Sequence, residues 1–424
     1  MNPAGERVPT RDVNREPVPD QPVSRIETAG QAVDWLNALV RADAPRGEAA
    51  LRSSRDLFAA LGDPQDDRPA VHIVGTAGKG SVAAIITVGL VAAGERVATH
   101  CSPHVYDIRE RFTLDGALPA WPHVIAAVRR VAEAADQLDQ PPTFFAATSA
   151  TSIVLGQEFG VDRYVVEAGI GGRVDATNVF SRPDVVTVVT AIGLDHTDVL
   201  GATAAEIAAE KAAVLAGRKI VVLGPQASNT AAEVVRRVTA SAGARLIEVG
   251  AGRDVRAEAV ATADAVLRLL GRPPAPSPPV LAGRFEAADL GGRRVILDGA
   301  HNPMKLAALA SGLDERATLV IAAVGINKPL AACAGAIAVL GGTVIATTFG
   351  PGADGLGPRG WPVSALADAL RHAGVERVVA AAADDVAAVV RNETEPGDLV
   401  VVTGSFLHLG DVRQRLAEMQ DTSE

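Results

Sequence analysis

Aromatic residues are scarce in this chain: they are 3% of its 424 residues, with two tyrosines and three tryptophans. A core of stacked rings is therefore excluded. The 48% of residues that are hydrophobic are mostly Ala, Val, Leu and Ile. Cysteine is almost missing. Cys101 and Cys333 are too few for a disulfide framework or a cysteine-built zinc site. No charge-free apolar run reaches the roughly 18 residues that a membrane-spanning helix needs. The opening "MNPAGERVPTRDVNREPVPDQPV" has no apolar segment of the kind a secretory signal carries. Basic charge is also in deficit: 40 Lys and Arg stand against 50 Asp and Glu, for a net charge of -10. That balance argues against nucleic acid or an anionic membrane as a partner. The expectation is a cytoplasmic protein acting on small molecules.

Residues 1–28 are charged and proline-rich without periodicity, and read as a disordered N-terminal tail. From Val71 onward, apolar strand-like runs alternate with helical ones. The runs are "AVHIVG", "RYVVEA", "DVVTVVTAI", "RKIVVLG", "RRVILDG", "ATLVIAAV", "TVIATTF", "RVVAAA" and "DLVVVTG". Unbroken apolar strands separated by helices predict parallel sheets covered on both faces, an α/β fold. The stretch "GRPPAPSPPVLAG" at 271–283 breaks the pattern with prolines that neither a helix nor a central strand accepts. It divides the chain into a larger domain at 29–280 and a smaller one at 281–424.

"GTAGKGS" lies between a strand and a helix. Gly75, Thr76, Gly78, Lys79, Gly80 and Ser81 are the makings of a phosphate cradle. Glycines turn backbone N–H groups inward, the helix N-terminus adds partial positive charge, and Lys79 adds a full one. Gly80 separates Lys79 from Ser81, so this is a variant of the Walker loop. "VVEAGIGGRVDATN" puts Glu167 at a strand end, "TAIGLDHTDVLG" puts His196 at another, and "AAEIAAEKAAVL" puts Lys211 on a helix. Strand ends are where open parallel sheets hold ligands. A carboxylate and an imidazole beside a triphosphate suit metal-assisted phosphoryl transfer.

Taken with "SPHVYDIRERF", "GRFE", "LDGAHNP" and "VVTGSFLHLGDVR", these motifs occur in one order over about residues 34–415. The chain resembles the folylpolyglutamate synthase/dihydrofolate synthase branch of the Mur ligases. The resemblance implies an N-terminal P-loop ATPase domain with a parallel sheet and a smaller Rossmann-like C-terminal domain. It implies an ATP-dependent ligase that activates a carboxylate, such as that of a pteroate or folate, as an acyl phosphate and joins it to L-glutamate. It also implies two Mg2+ sites, held by Ser102 and Glu167 and by His196 and a carbamylated Lys211. Arg284, Asp298, His301 and Asn302 match ATP-contacting positions, and His301 joins Lys79, His196 and Lys211 as a candidate catalytic group. Phe144, Phe145, Arg173, Val174, Asp175 and Ala176 match the acceptor side, where "FFAATSAT" and "GGRVDATN" are expected to face one another. A monomer is expected.

The sequence departs from the family in four places. Ala77 stands where Asn is usual in the loop, and Ala146 replaces the acid of the family's "FFE" segment. Ala257 aligns with an adenine-side Asn, and "PRGEAALRS" replaces the "GLERI" segment on the pteridine side. Two alternatives stay open: a diverged ligase joining an amino acid to a non-folate carboxylate, and a non-catalytic nucleotide-binding paralogue.

Overall fold

The computed structural model describes residues 26–41, 43–350 and 360–419. Most of the expected N-terminal tail, residues 1–25, lies outside the described residues. Its last three residues belong to the fold. Ile26 is buried in the core, and its carbonyl accepts two bonds from the Arg129 guanidinium, at 3.0 and 2.6 Å. The Thr28 side chain caps the helix Ala29–Ala38 in a reciprocal pair with Gln31. The chain forms two compact units that part between Pro279 and Val280, within the proline-rich stretch.

The first unit is built on seven strands: β1 Ala70–Val74, β2 Val97–His100, β3 Phe112–Leu114, β4 Arg163–Glu167, β5 Val186–Val189, β6 Ile220–Leu223 and β7 Arg245–Glu248. Their order across the sheet is β3-β2-β4-β1-β5-β6-β7. All pairs are parallel except β2 with β3. Every residue of β1 and β5 is buried, which explains their unbroken apolar runs. Separate apolar clusters form around the helices Lys79–Ala92 and Val255–Leu269, the helices Ala204–Ala212 and Asn229–Ser241, and the helices Trp121–Ala135 and Phe144–Phe159. With few aromatics, small residues set the packing distance. A Cβ on Gly156 would lie 2.6 Å from the Tyr164 ring and 2.7 Å from the Ala98 Cβ.

The parallel register places the C-terminal ends of four strands side by side. Ile73 pairs with Glu167, Val74 with Val189, and His100 with Val166. β1 stands where the chain order reverses, with β4 on one side and β5 on the other. Such a switch point opens a crevice at the strand ends.

The second unit holds β8 Glu286–Leu290, β9 Arg293–Leu297, β10 Ala317–Ala322, β11 Gly341–Ala346, β12 Arg377–Ala380 and β13 Leu399–Thr403, in the order β12-β11-β10-β13-β9-β8. β8 and β9 form an antiparallel hairpin, and the remaining pairs are parallel. The hairpin turn is Gly291–Gly292, both at positive φ (60° and 73°), the backbone a two-residue turn demands. No helix of the described residues is long and apolar enough to cross a membrane.

The close packing at Gly156 makes a prediction. Gly156→Val should destabilise the first unit by about 1–3 kcal/mol, because neither Tyr164 nor Ala98 has room to retreat. A melting temperature equal to that of the unmodified protein would contradict this packing.

Candidate functional site

The chain leaves β1 through Gly75, where a Cβ would overlap the Thr190 hydroxyl, so only glycine allows this approach. The Thr76 and Ala77 N–H groups both donate to the Ala191 carbonyl, at 2.8 and 3.2 Å. The Thr76 hydroxyl donates to the Gly193 carbonyl at 3.1 Å and accepts from the Gly193 N–H at 3.2 Å. The loop is thus pinned to the segment after β5. Gly78 enters the helix Lys79–Ala92 at φ 83°, and no side chain caps that helix. The donors directed away from the sheet are therefore the first-turn amides from Lys79 onward. The Lys79 ammonium folds back over the loop. It donates to the Gly75 carbonyl at 3.2 Å and lies 3.8 Å from Glu167 Oε1. Glu167 Oε2 accepts the Ser102 N–H at 3.1 Å, and the carboxylate is only 3% exposed. Lys79, Ser102 and Glu167, far apart in the chain, form one cluster.

His196 follows the end of β5. It sits at φ 49° at the start of the short helix Thr197–Leu200, with Nε2 3.9 Å from Asp195 Oδ1. Lys211 is buried in the last turn of Ala204–Ala212. The glycine-rich loop after β4 lies directly on that turn: a Cβ on Gly172 would come 2.6 Å from the Lys211 carbonyl. Arg173 fastens the contact, its N–H donating to the Glu210 carbonyl at 3.0 Å and its guanidinium pairing with Glu210 at 3.1 Å.

Asp175 closes the same loop on itself. Its Oδ2 accepts from the Ile170 N–H at 2.8 Å, and its Oδ1 accepts from both the N–H and the hydroxyl of Thr177. Burial raises its pKa despite these donors. Since the Thr177 hydroxyl donates to Asp175, His72 Nε2 must donate to Thr177, at 2.8 Å. Burial and the Arg218 charge hold the His72 pKa near 3, so its ring is neutral. Arg173 and Asp175, expected on the acceptor side, are thus engaged in shaping the loop. Val174, between them, is half-buried, and Ala176, after Asp175, is buried.

The Phe145 ring lies against Gly169, where a Cβ would approach it to 2.7 Å, so the start of Phe144–Phe159 meets the start of the glycine-rich loop. Phe144 carries the Arg111 guanidinium over its ring at 5.0 Å. Arg111 was not singled out from the sequence, although it lies within "SPHVYDIRERF". It donates to His104 Nδ1 at 2.8 Å, and burial pulls its pKa down to about 10 against the raising pull of Glu167 and Glu110. Ala146, in place of the family's acid, is fully buried.

The second unit gathers its candidate residues separately. Asp298 directly follows β9 and accepts from the Phe285 and Ala300 N–H groups, both at 2.8 Å. Burial pushes its pKa up to about 6 in spite of these bonds and the charges of Arg284 and Lys305. The Arg284 guanidinium stacks 5.2 Å over the Phe406 ring, whose edge packs on Gly299. His301 lies 5.9 Å from the same ring. The Gly299 carbonyl can only accept, so His301 Nδ1 carries the hydrogen of their 2.7 Å bond. Nε2 is then the acceptor for the Lys305 ammonium at 2.9 Å. Lys305 was missed in the sequence; its only signal was a spacing of one helical turn from His301. Asn302 is buried and caps Pro303–Gly312 by accepting the Lys305 N–H at 2.8 Å.

Comparison with known proteins agrees with these motifs. Residues 283–406 match the family model described as the glutamate ligase domain of Mur ligases. Over 215 residues the chain is 39% identical to a probable bifunctional folylpolyglutamate synthase/dihydropteroate synthase of Halobacterium salinarum, covering 48% of this chain and 25% of that protein. Over 190 residues it is 35% identical to a dihydrofolate synthase/folylpolyglutamate synthase of Bacillus subtilis, covering 43% of each. The matched stretches therefore span less than half of these curated relatives. The structure of a Mycobacterium tuberculosis folylpolyglutamate synthase complexed with ADP and AMPPCP superposes with TM-score 0.74 at 27% identity, over 86% of this chain and 95% of that one. The chain is similar to the folylpolyglutamate synthase/dihydrofolate synthase family.

The family's metal positions can be tested against these residues. Among the described residues no three His, Cys, Asp or Glu side chains come together as a metal cage. A Mg2+ ion that keeps several waters and binds phosphate oxygens needs only one or two protein ligands. The carboxylate of Glu167 next to Ser102 fits that description. His196 and an unmodified Lys211 do not, since an ammonium repels a cation. They fit only if Lys211 carries a carbamate.

Asp298 ties pH to stability. Its folded pKa, about 6, exceeds its ordinary 3.8, so the folded state binds more protons in that window. Stability contributed by this group is present below pH 4 and is lost as pH rises through 6. The loss should be on the order of 2–3 kcal/mol. Asp298→Asn should flatten the slope in thermal unfolding followed from pH 4 to 7. An equal slope in the variant would place the titrating group elsewhere.

Proposed function

We propose that this chain is an ATP-dependent carboxylate–amine ligase that joins L-glutamate to a folate-type carboxylate. The observation that carries the reading is the cluster of Lys79, Ser102 and Glu167 at the uncapped start of Lys79–Ala92. It supplies a cation, free amides and a metal-binding carboxylate at one strand-end edge. The family and its glutamate ligase domain support the reaction class.

In the proposed reaction, an acceptor carboxylate oxygen attacks the γ-phosphorus of ATP. The bond from that phosphorus to the bridging oxygen breaks, and ADP leaves. The neutral amine of glutamate then attacks the carbonyl carbon of the acyl phosphate. The nitrogen loses a proton, the tetrahedral adduct collapses, and inorganic phosphate departs. Lys79 and the first-turn amides hold the phosphates and offset the charge that builds on them. Ser102 and Glu167 would hold one Mg2+, and His196 with carbamylated Lys211 a second. Magnesium, when bound, supplies neutralisation of phosphate charge. Arg284, Asp298, His301 and Asn302 serve the nucleotide in this reading. Phe144, Phe145 and the loop shaped by Arg173 and Asp175 serve the acceptor.

A second reading concerns the acceptor. A pterin presents N–H donors that require acidic or amide partners. Here Ala146 replaces the family's acid, Asp175 is engaged by Ile170 and Thr177, and the Thr148 and Ser149 hydroxyls donate to the Phe145 carbonyl. Leaving pterin donors unpaired would cost about 1–3 kcal/mol each. These observations favour a non-folate carboxylate as the acceptor of the same chemistry. Phosphate release from ATP and glutamate, measured with dihydropteroate, folate and other aromatic carboxylates, separates the readings. Turnover with folates alone supports the first, and turnover with the others alone supports the second. No turnover with any of them returns the chain to a nucleotide-binding role without catalysis.

Lys79→Ala should lower turnover by about 100- to 1000-fold. Near-normal turnover would remove the phosphate-loop reading. Intact mass measured under CO2 should show one added carbamate, absent from Lys211→Ala. The alanine variant should lose activity, with partial rescue by short-chain carboxylates. An unmodified Lys211 with a fully active alanine variant would take it out of the site.

A further inference from the structure

A cavity of about 350 Å3 in the first unit shares no residue with the candidate site. Arg55, from the helix Glu48–Ala60, stands on one side. Asn178, Phe180 and Ser181, from the segment between β4 and β5, form a second wall. Val214 and Arg218, which precede β6, complete it. Among the described residues, both charged side chains lining it are arginines and no Asp or Glu lines it, in a protein whose net charge is -10.

Arg218 is 5% exposed. Its guanidinium is held by three carbonyl oxygens, those of Val214 at 3.3 Å, Arg182 at 3.2 Å and Phe180 at 3.0 Å. All three are neutral acceptors. They fix the group's orientation, and no carboxylate of the described residues contacts it. The carboxylate acting on it, Asp66, is itself engaged by the N–H groups of Ser181 and Arg182 and by the Ser181 hydroxyl. Burial lowers the Arg218 pKa, as expected for a cation withdrawn from water without a direct counter-charge. Arg55 forms no hydrogen bond or ion pair with the described residues. A buried guanidinium fixed in orientation, an exposed second one, and the Asn178 amide, which donates to the Arg173 carbonyl at 3.0 Å, around one cavity match the planar, multidentate recognition of an oxyanion.

We propose that this cavity binds a phosphate-type oxyanion, either inorganic phosphate or the phosphate group of a small ester, between Arg55 and Arg218. Its volume lies at the small end of the range for metabolite pockets, roughly 300–1,000 Å3, so a phosphate with a short organic part fits.

The test is calorimetric titration of the full chain with inorganic phosphate and, separately, with glycerol phosphate. Both titrations are done in a Lys79→Ala background, which silences the phosphate loop. Saturable binding should persist there and weaken by about tenfold or more on adding Arg55→Ala, with partial recovery in Arg55→Lys. Arg55 is exposed, so its removal leaves the fold intact; an unchanged melting temperature verifies this without recourse to an Arg218 variant. Tighter binding of the ester than of phosphate identifies a phosphorylated metabolite as the ligand, and equal binding identifies free phosphate. Three results overturn the proposal: no saturable binding in the Lys79→Ala background, affinity indifferent to Arg55→Ala, or a preference for acetate or glutarate over both phosphate probes.

Discussion

Glu167 is a carboxylate held out of water at the end of a central parallel strand, and the first unit is arranged around that fact. A charge in such a place must be met by donors or cations, or the fold loses several kcal/mol. The Ser102 amide donates to one oxygen, and the Lys79 ammonium stands near the other. Those partners come from the ends of β2 and β1, so the strand order that places β4 between them is what makes the charge tolerable. The same arrangement leaves a polar, cation-bearing edge beside an uncapped helix. Structure and chemistry depend there on one electrostatic constraint.

The glycines follow from it. Gly75 lets β1 turn tightly against Thr190, and Gly172 lets the loop after Glu167 lie on the backbone of Lys211. Any side chain at either place would lift the loop away from its neighbour. The second unit repeats the principle with Asp298, a half-buried carboxyl just past a strand end whose two backbone donors and nearby cations only partly offset its desolvation. Its titration near neutrality is the residue of that incomplete compensation.

Much of this was legible in the chain. The nine apolar runs correspond to β1, β4, β5, β6, β9, β10, β11, β12 and β13; most of these strands are buried along their length and so are apolar throughout, while β9 and the edge strand β12 carry exposed residues and are read from their valines and isoleucines. Four strands were not read. β2 carries Thr99 and His100, polar residues buried by partners that only folding supplies. β3 and β8 are antiparallel edges, and β7 is an edge whose end residues are exposed, so their patterns are short or mixed. Among the site residues, the phosphate loop and Glu167 announce themselves by spacing. Arg111 and Lys305 do not, since an arginine beneath a phenylalanine and a lysine against an imidazole look like any surface cation until the ring is located.

The sequence by itself determined the alternation of strand and helix, the break at the proline-rich stretch, and the residue types gathered at strand ends. Those are local properties: periodicity, backbone freedom at glycine, and the exclusion of proline from sheets. Only the tertiary structure decided what each polar group is engaged with. It showed Asp175 bound to Ile170 and Thr177, Arg173 fastening a loop to Glu210, and Arg218 caught among three carbonyls. A carboxylate or a guanidinium carries the same charge wherever it lies in the chain. Whether that charge shapes a loop or meets a ligand depends on distances of a few ångströms, which are set when remote segments pack together.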